Sequence, residues 1–355
     1  MKIVDRYLAA TVVTFSGMVL AVLLTLGALF TFITQQDDIG VGNYDAGDAL
    51  VYSLLTLPQQ AFELMPIAVL IGSLLGLGAL ARGSELVVLR ASGVSIMRIC
   101  VSVALGGVIL LATGALLGEV VAPPLQKFAR QQKAFSKYAD VSFAGSGAAW
   151  VKDGNLMLSV EEQSGDNVFG GIFLFEVEGT RLVRVARAAT AALAPNGKGW
   201  LLYGYTETRF TEEGAETAAA PVQEIETRID PSFIGLAVSE PRQLPSLALL
   251  RLIRHQQENR LESDVYEFAF WSRIARTCAI LIVAVLAVPF ALGPLRSSGA
   301  GGRMVIGVLI GVAFFLLQRT LESGAIVFAL DPTLLAWVPT LLLAILTAGL
   351  LLRAR

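Results

Sequence analysis

Six near-continuous apolar stretches run through the chain, at residues 8 to 34, 50 to 81, 99 to 122, 268 to 293, 304 to 330 and 333 to 352. Each is long enough to cross a bilayer as a helix, since roughly 20 helical residues cover a hydrocarbon core of about 30 Å. The first is too long for a cleaved signal peptide, and no small-residue cleavage site interrupts it before Gln35. Between the third and fourth stretches the period changes to two. Alternation in "WVKDGNLMLSVEE", "GGIFLFEVEGTRLVRVARAATAAL" and "PNGKGWLLYGYTETRF", with turn pairs at Asp153-Gly154, Glu178-Gly179 and Asn196-Gly197, predicts successive antiparallel hairpins of a sandwich or jelly roll. After Pro241 and Pro245, Leu247, Leu250 and Ile253 return at helical spacing, so a short helix leads into the fourth stretch. No helical crossover separates the strands, which argues against a nucleotide-binding α/β domain.

The charges divide the chain in the same way. Residues 125 to 267 hold 34 of the 56 charged side chains, leaving 22 for the other 212 positions. The expected fold is an α-helical integral membrane protein with six transmembrane helices and an inserted all-β, jelly-roll-like domain. Residues 1–124 carry spans one to three, 125–267 the inserted domain and 268–355 spans four to six. Six spans put both termini on one side. Lys2 and Arg6 precede the first span; Arg82, Arg90 and Arg98 separate the second and third; Arg296 and Arg303 separate the fourth and fifth; Arg353 and Arg355 end the chain. The loop at residues 35 to 50 on the other side has Asp37, Asp38, Asp45 and Asp48 and no Lys or Arg. By the positive-inside rule both termini are cytoplasmic and the inserted domain lies outside.

Overall composition, 55% hydrophobic and 16% charged, departs from the roughly 45–50% and about 25% of a soluble domain, and excludes disorder. A formal net charge of -2 excludes a generally basic nucleic-acid binder. Cys100 and Cys278 lie in separate apolar stretches and form no CxxC pair, and His255 is the only histidine, so no disulfide, metal site or histidine triad is expected. ATP hydrolysis within the chain needs a Gly-rich loop ending in Gly-Lys and Ser or Thr. The sole Gly-Lys pair, Gly197-Lys198, sits in a hairpin turn with Ala192 at the place of the first Gly. GxSxG and HExxH are absent, and Glu161-Glu162 and Glu212-Glu213 read as solvated faces. No cofactor and no enzymatic activity are expected.

Two features carry functional readings. The cytoplasmic loop "ARGSELVVLRASGVSIMRI" predicts a short helix with Ser84 as N-cap, Glu85 in the first turn and Gly93 at its end. It presents Leu86, Val87, Leu89 and Ile96 in a loop that should be wet. Either it lies on the membrane or it plugs into a cytoplasmic partner, and Glu85 beside Arg82 and Arg90 is a poor match to the basic face of a membrane-surface helix. Within the spans, Glu63, Glu119, Arg273, Arg276, Arg319 and Glu322 fall toward the outer ends. They either pair with one another or ring a site for an amphipathic anion, with arginines forking onto phosphate. Gly72, Gly76 and Gly78 permit close helix contact in the second span.

"SELVVLRASG" with the preceding "LGLGALA", and "WVKDGN", "FWSRIA", "PFALGPLRS" and "GGRMVIGVLIG", resemble the LptF/LptG permeases of the lipopolysaccharide exporter, over essentially the whole chain and closer to the LptG branch. The resemblance implies an ABC transporter in the bacterial inner membrane. Its parts are two paralogous six-span permeases, a cytoplasmic ATPase homodimer and a single-span periplasmic protein. It extracts lipopolysaccharide from the outer leaflet and passes it to a periplasmic bridge. It also implies a coupling helix at about residues 84–97, with ATPase contacts from Ser84, Glu85, Leu86, Leu89, Arg90 and Ser95, a periplasmic β-jelly roll at about 140–235, and a first span lining a lateral gate. Some family members carry lysines near the outer end of the first span, where this chain has Thr31, Asp37 and Asp38. The compensating charge is then expected from Arg273, Arg276 or Arg319, or from divalent ions bridging Asp37 and Asp38 to phosphate. The competing function from another class is a non-transporting membrane scaffold or signal transducer that couples the β domain to a cytoplasmic partner.

Overall fold

The computed structural model describes residues 3–137, 149–164, 168–179, 181–193, 199–211, 214–226, 241–292, 300–324 and 331–353. The Asn196-Gly197 turn, Gly197-Lys198, Glu212-Glu213, Lys2, Arg296 and Arg355 lie outside these residues, as do the side chains of Glu161, Glu162, Arg303 and Glu322. The chain divides into two compact units: Met1–Gln35, Leu50–Ala129 and Asp264–Arg355 in the first, and Gln36–Ala49 with Arg130–Ser263 in the second.

In the first unit, α1 spans Ile3–Thr34, α3 Leu57–Arg82, α4 Glu85–Ala91 and α5 Ile96–Leu116. Helix α5 runs through a π turn at Leu117–Val121 into α6, Ala122–Lys137. Later come α8, Asp264–Leu292, α9, Ala300–Gly324, and α10, Pro332–Arg353. Five of the helices are long and apolar enough to cross a membrane; in α9 the described apolar part is Val305–Leu321. The second stretch does not form one helix from residue 50. A short helix α2, Ala46–Leu55, precedes α3, because Pro58 at the start of α3 supplies no backbone N–H and disfavours continuation through Thr56 and Leu57.

The helices pack around Leu8, Val12, Leu70, Leu77, Ile99, Val103, Ile280 and Leu286. Glycines set the closest approaches. A Cβ on Gly72 would stand 2.3 Å from Ser16 Cα, and one on Gly118 would stand 2.7 Å from Cδ2 of Phe62. Van der Waals contact is the main attraction left between helices in lipid, so small residues at such points set how tightly α1 and α3 pack.

The second unit contains a six-stranded antiparallel sheet: β1 Ala149–Asp153, β2 Leu156–Ser164, β3 Val168–Glu178, β4 Arg181–Leu193, β5 Gly199–Phe210 and β6 Ala215–Glu226. Its order is β1 to β6 in sequence. The Asp153-Gly154 and Glu178-Gly179 turns hold their glycines at φ of 61° and 62°, which L side chains rarely adopt. Leu158, Val160, Ile172, Leu174, Ala186, Ala188, Trp200 and Leu202 make the apolar face. Strand β6 escaped the sequence reading because its apolar residues are mostly alanines and it contains Pro221, which is tolerated on an edge strand. The described strands form a meander, whereas a jelly roll is built of Greek keys. Helix α7, Ser246–Glu258, follows, as the Leu247, Leu250, Ile253 spacing predicts, with His255 in its last turn.

A polar network is set into this sheet. The buried Tyr205 donates to Glu207 at 2.8 Å, and Arg184 reaches Glu207 at 3.3 Å and Glu176 at 2.9 Å. Burial first, and the bond to Glu207 second, push the Tyr205 phenol up from 10.0 to about 12. Glu207 lies below the ordinary carboxylate value, chiefly because Tyr205 donates to its ionised form, with Arg184 reinforcing.

Gly72→Val is expected to lower thermal stability in detergent by about 1–3 kcal/mol, the usual range for overpacking. A melting temperature equal to wild type would show that α1 and α3 need no close approach there. For the sheet, the depressed Glu207 contributes stability above its unfolded value that is lost as pH falls below it. The raised Tyr205 contributes stability below pH 10.0 that is lost as pH climbs toward about 12. Thermal unfolding across pH should therefore fall off at both ends, and Tyr205→Phe should remove the alkaline limb and leave a smaller acid limb that is complete at a higher pH.

Candidate functional site

Helix α4 lies between the second and third spans, at the predicted cytoplasmic end. Gly93 ends its turn at φ +90° and bonds through its N–H to Arg90 O, as expected. Ser84 does not cap: it sits in the left-handed region at φ 60° and its side chain makes no capping bond. The N-cap of the loop's second half is Ser95, which accepts from Arg98 N–H at 3.3 Å and starts α5, so Ile96 belongs to the span and not to the loop helix. Leu86 is 2% exposed and belongs to the helix core, and Leu89 packs against the same core. The side chains that face outward are Val87 and Val88, 54% and 64% exposed, flanked by the exposed Glu85 and Arg90. Sequence reasoning missed Val88; the signal was there, because residues two and three positions past Leu86 and Glu85 fall on the face opposite Leu86 and Leu89.

Two contacts tie this loop to α1. Tyr7 Oη donates to Glu85 Oε2 at 2.8 Å. Asp5 accepts from Arg98 Nη2 at 3.1 Å and from Ser102 Oγ at 2.8 Å. Both Asp5 and Tyr7 were missed, since pairing across 78 to 97 residues of sequence leaves no local pattern.

A second cluster gathers the expected outer-end charges. Arg273 is 3% exposed, donates to Glu119 Oε1 at 2.9 Å and to the Gly118 carbonyl, and lies over the Phe62 ring at 5.0 Å. The π turn explains the carbonyl. Ala122 N–H bonds Leu117 O, one residue further back than in an α-helix, and the next residues, Pro123 and Pro124, have no N–H. Neither the α partner nor the π partner of Gly118 O can donate to it, and the Arg273 guanidinium does. Arg276 stacks on the same Phe62 ring at 5.6 Å and is partly exposed. Gln59 donates to Glu63 at 2.8 Å. The mutual-pairing reading thus accounts for Glu119 and Arg273, while Glu63 bonds the neutral Gln59.

The other expected contacts are dispersed. Thr31 Oγ1 accepts from Gln60 Nε2 at 2.8 Å. Asp38 pairs with Lys133 Nζ at 2.6 Å in the second unit, and Lys133 stands 5.9 Å from the Tyr44 ring. A cation of the chain itself therefore meets Asp38, where a divalent ion was one expectation. Asp37 lies in the 3-10 turn Gln36–Asp38, and Arg319 is on an exposed face of α9. Among the described residues no group of three or more His, Cys, Asp or Glu could hold a metal ion, and Cys100 and Cys278 are both free thiols.

Long apolar helices with an inserted sheet, a helical loop carrying outward valines and charges held at helix ends define a multi-pass membrane protein. Residues 6–353 match the family described as lipopolysaccharide export system permease LptF/LptG, and the chain belongs to that family. It is 31% identical over 353 residues to the lipopolysaccharide export system permease protein LptG of Escherichia coli K12, covering 99% of this chain and 98% of the other. The protein of the same name from Haemophilus influenzae is 26% identical over 355 residues, with the same coverage. The chain is a permease of the lipopolysaccharide export system, which replaces the scaffold or transducer alternative.

Arg273→Ala is expected to cost about 3–5 kcal/mol, the usual loss when one partner of a buried pair is removed. Arg276→Gln should cost about 1 kcal/mol of cation–π stacking and leave the fold in place. Thermal unfolding of the two variants in detergent measures the difference; equal melting temperatures would sink the anchoring role of Arg273.

Proposed function

We propose that the chain is one of two paralogous permeases in an ABC transporter of the bacterial inner membrane. An ATPase homodimer sits below it and a single-span periplasmic protein beside it. The complex draws lipopolysaccharide from the outer leaflet and passes it to a periplasmic bridge. Both termini are cytoplasmic and residues 125–267 are periplasmic, which the positive loops and the acidic 35–50 loop favour. Helix α9 is the remaining span: its 25 residues reach about 37 Å, more than the hydrocarbon core. The β meander serves as a slide for acyl chains, along the apolar face around Trp200 and Leu202.

The observation that carries the energy-coupling half of this reading is α4 itself. Leu86 and Leu89 root it in the helix core while Val87 and Val88 point away, so it is an apolar knob on a rigid mount. Ser84 turns the chain into it, Ser95 caps the following span, and Glu85 and Arg90 offer one charge of each sign to a partner at its rim. Energy must come from outside, because each CH₂ pulled out of lipid costs about 0.8 kcal/mol. Thr31, Arg276 and Arg319 contribute polar contacts to the lipid headgroup, and Arg273 holds the frame that presents Arg276.

Native mass spectrometry of the complex purified from its own membranes tests both halves. Wild type should carry an ATPase dimer, a second permease and a lipopolysaccharide-sized adduct. Glu85→Lys and Val88→Asp should shed the ATPase while the permease pair and adduct persist. A chain that emerges alone, or with ordinary phospholipid only, defeats the reading.

A further inference from the structure

We infer that Tyr7 and Asp5 are positioning residues that strap the first span to the coupling helix α4 and to the start of α5 just beyond it, so that a push on α4 reaches α1 through side chains. The inference rests on the ATPase-docking reading of α4 given above. Three observations carry it. Tyr7 holds the first residue of α4, Glu85, at 2.8 Å, and Asp5 holds Arg98, in the first turn of α5, at 3.1 Å. The two grips come from one turn of the same helix but from different rows. The Tyr7 row continues through Thr11 and Phe15 against Gly76 of α3, while the Asp5 row continues through Ala9 and Val12 against Gly106 of α5. Between the grips lie Val87 and Val88, the outward face.

The chemistry of the two straps differs in a useful way. Asp5 is a charged, partly sheltered acceptor held by two donors, Arg98 and Ser102, so it works as a fixed pivot. Tyr7 makes a single hydroxyl bond to an exposed carboxylate, and a carboxylate has lone pairs for more than one donor. A cationic group of the docked ATPase can therefore share Glu85 with Tyr7 or take it from Tyr7. Either event changes the load on the cytoplasmic end of α1, and α1 is a continuous helix from Ile3 to Thr34 with no proline or break. A displacement at Tyr7 is carried along it toward Thr31, which is itself tied to Gln60 of α3. The straps need no change in α4 backbone, only an exchange of partners at Glu85.

The test uses the whole complex in proteoliposomes, with ATP hydrolysis and lipopolysaccharide released to a periplasmic acceptor measured on the same sample. Tyr7→Phe and Asp5→Asn should keep the ATPase bound and hydrolysis within about twofold, while release per ATP falls about fivefold or more, the low end of typical intersite coupling. Exchanging the pair, Asp5→Arg with Arg98→Asp, should recover release relative to either single change. Unchanged release per ATP in Tyr7→Phe and Asp5→Asn overturns the inference, as does a parallel fall of assembly, hydrolysis and release, which is the mark of a merely structural contact. Val88→Asp in the same assay reports separately on docking: an ATPase retained there overturns the docking reading, whatever the straps do.

Discussion

A guanidinium buried among apolar helices has to be paired, and the arrangement of the membrane unit depends on how Arg273 is paired. Glu119 supplies the counter-charge and Gly118 the carbonyl that the π turn sets free, so the start of α8 is locked in register against the end of α5. The lock has its own requirements. Phe62 of α3 must lie against Gly118, where a Cβ would collide with its ring, and the same ring then stacks under Arg273 and Arg276. One ion pair therefore fixes three helices near one end of the unit. Pro123 and Pro124 create the demand for it by removing the donors that an uninterrupted helix would have provided.

At the other end of these helices the contacts are of a different kind. Tyr7, Glu85, Asp5 and Arg98 are exposed or partly exposed and bond through single hydroxyls or surface-level charges, which are weaker than a sheltered pair. The proposed coupling to a separate ATPase would need this asymmetry. The end that holds the frame must resist, and the end that receives the push must be able to exchange partners. Glycines at positions 72, 76 and 106 let α1 lie close to both α3 and α5, so the exchange acts on a helix in direct contact with its neighbours.

Much of this was legible in the chain. Hydrophobic length alone marked the spans, period two marked the hairpins, and the Gly93 stop and the short helix before it were readable from composition, because each of these depends on neighbours within a few residues. The errors share a cause. Ser84 looked like a cap because only its residue type was visible, while the turn from α3 forced it into the left-handed region. Leu86 and Leu89 looked like a docking face because apolar residues in a loop suggest one, but two sides of a helix are both apolar here and only packing says which is outward. Lys133 was not considered for Asp38, because only the fold brings residues 36–49 and 130–263 into one unit.

The sequence by itself determined that this protein lives in a membrane, which of its stretches are apolar enough to cross it, that an antiparallel sheet is inserted between the third and fourth, and which family it belongs to. Those properties follow from local periodicity and transfer free energy, which are carried by each segment independently. Tertiary structure alone decided which charges pair, which side of α4 is free, and that the first helix bonds both Glu85 of α4 and Arg98 of α5. These depend on contacts between residues 78 to 155 positions apart, whose energies exist only after the helices have packed.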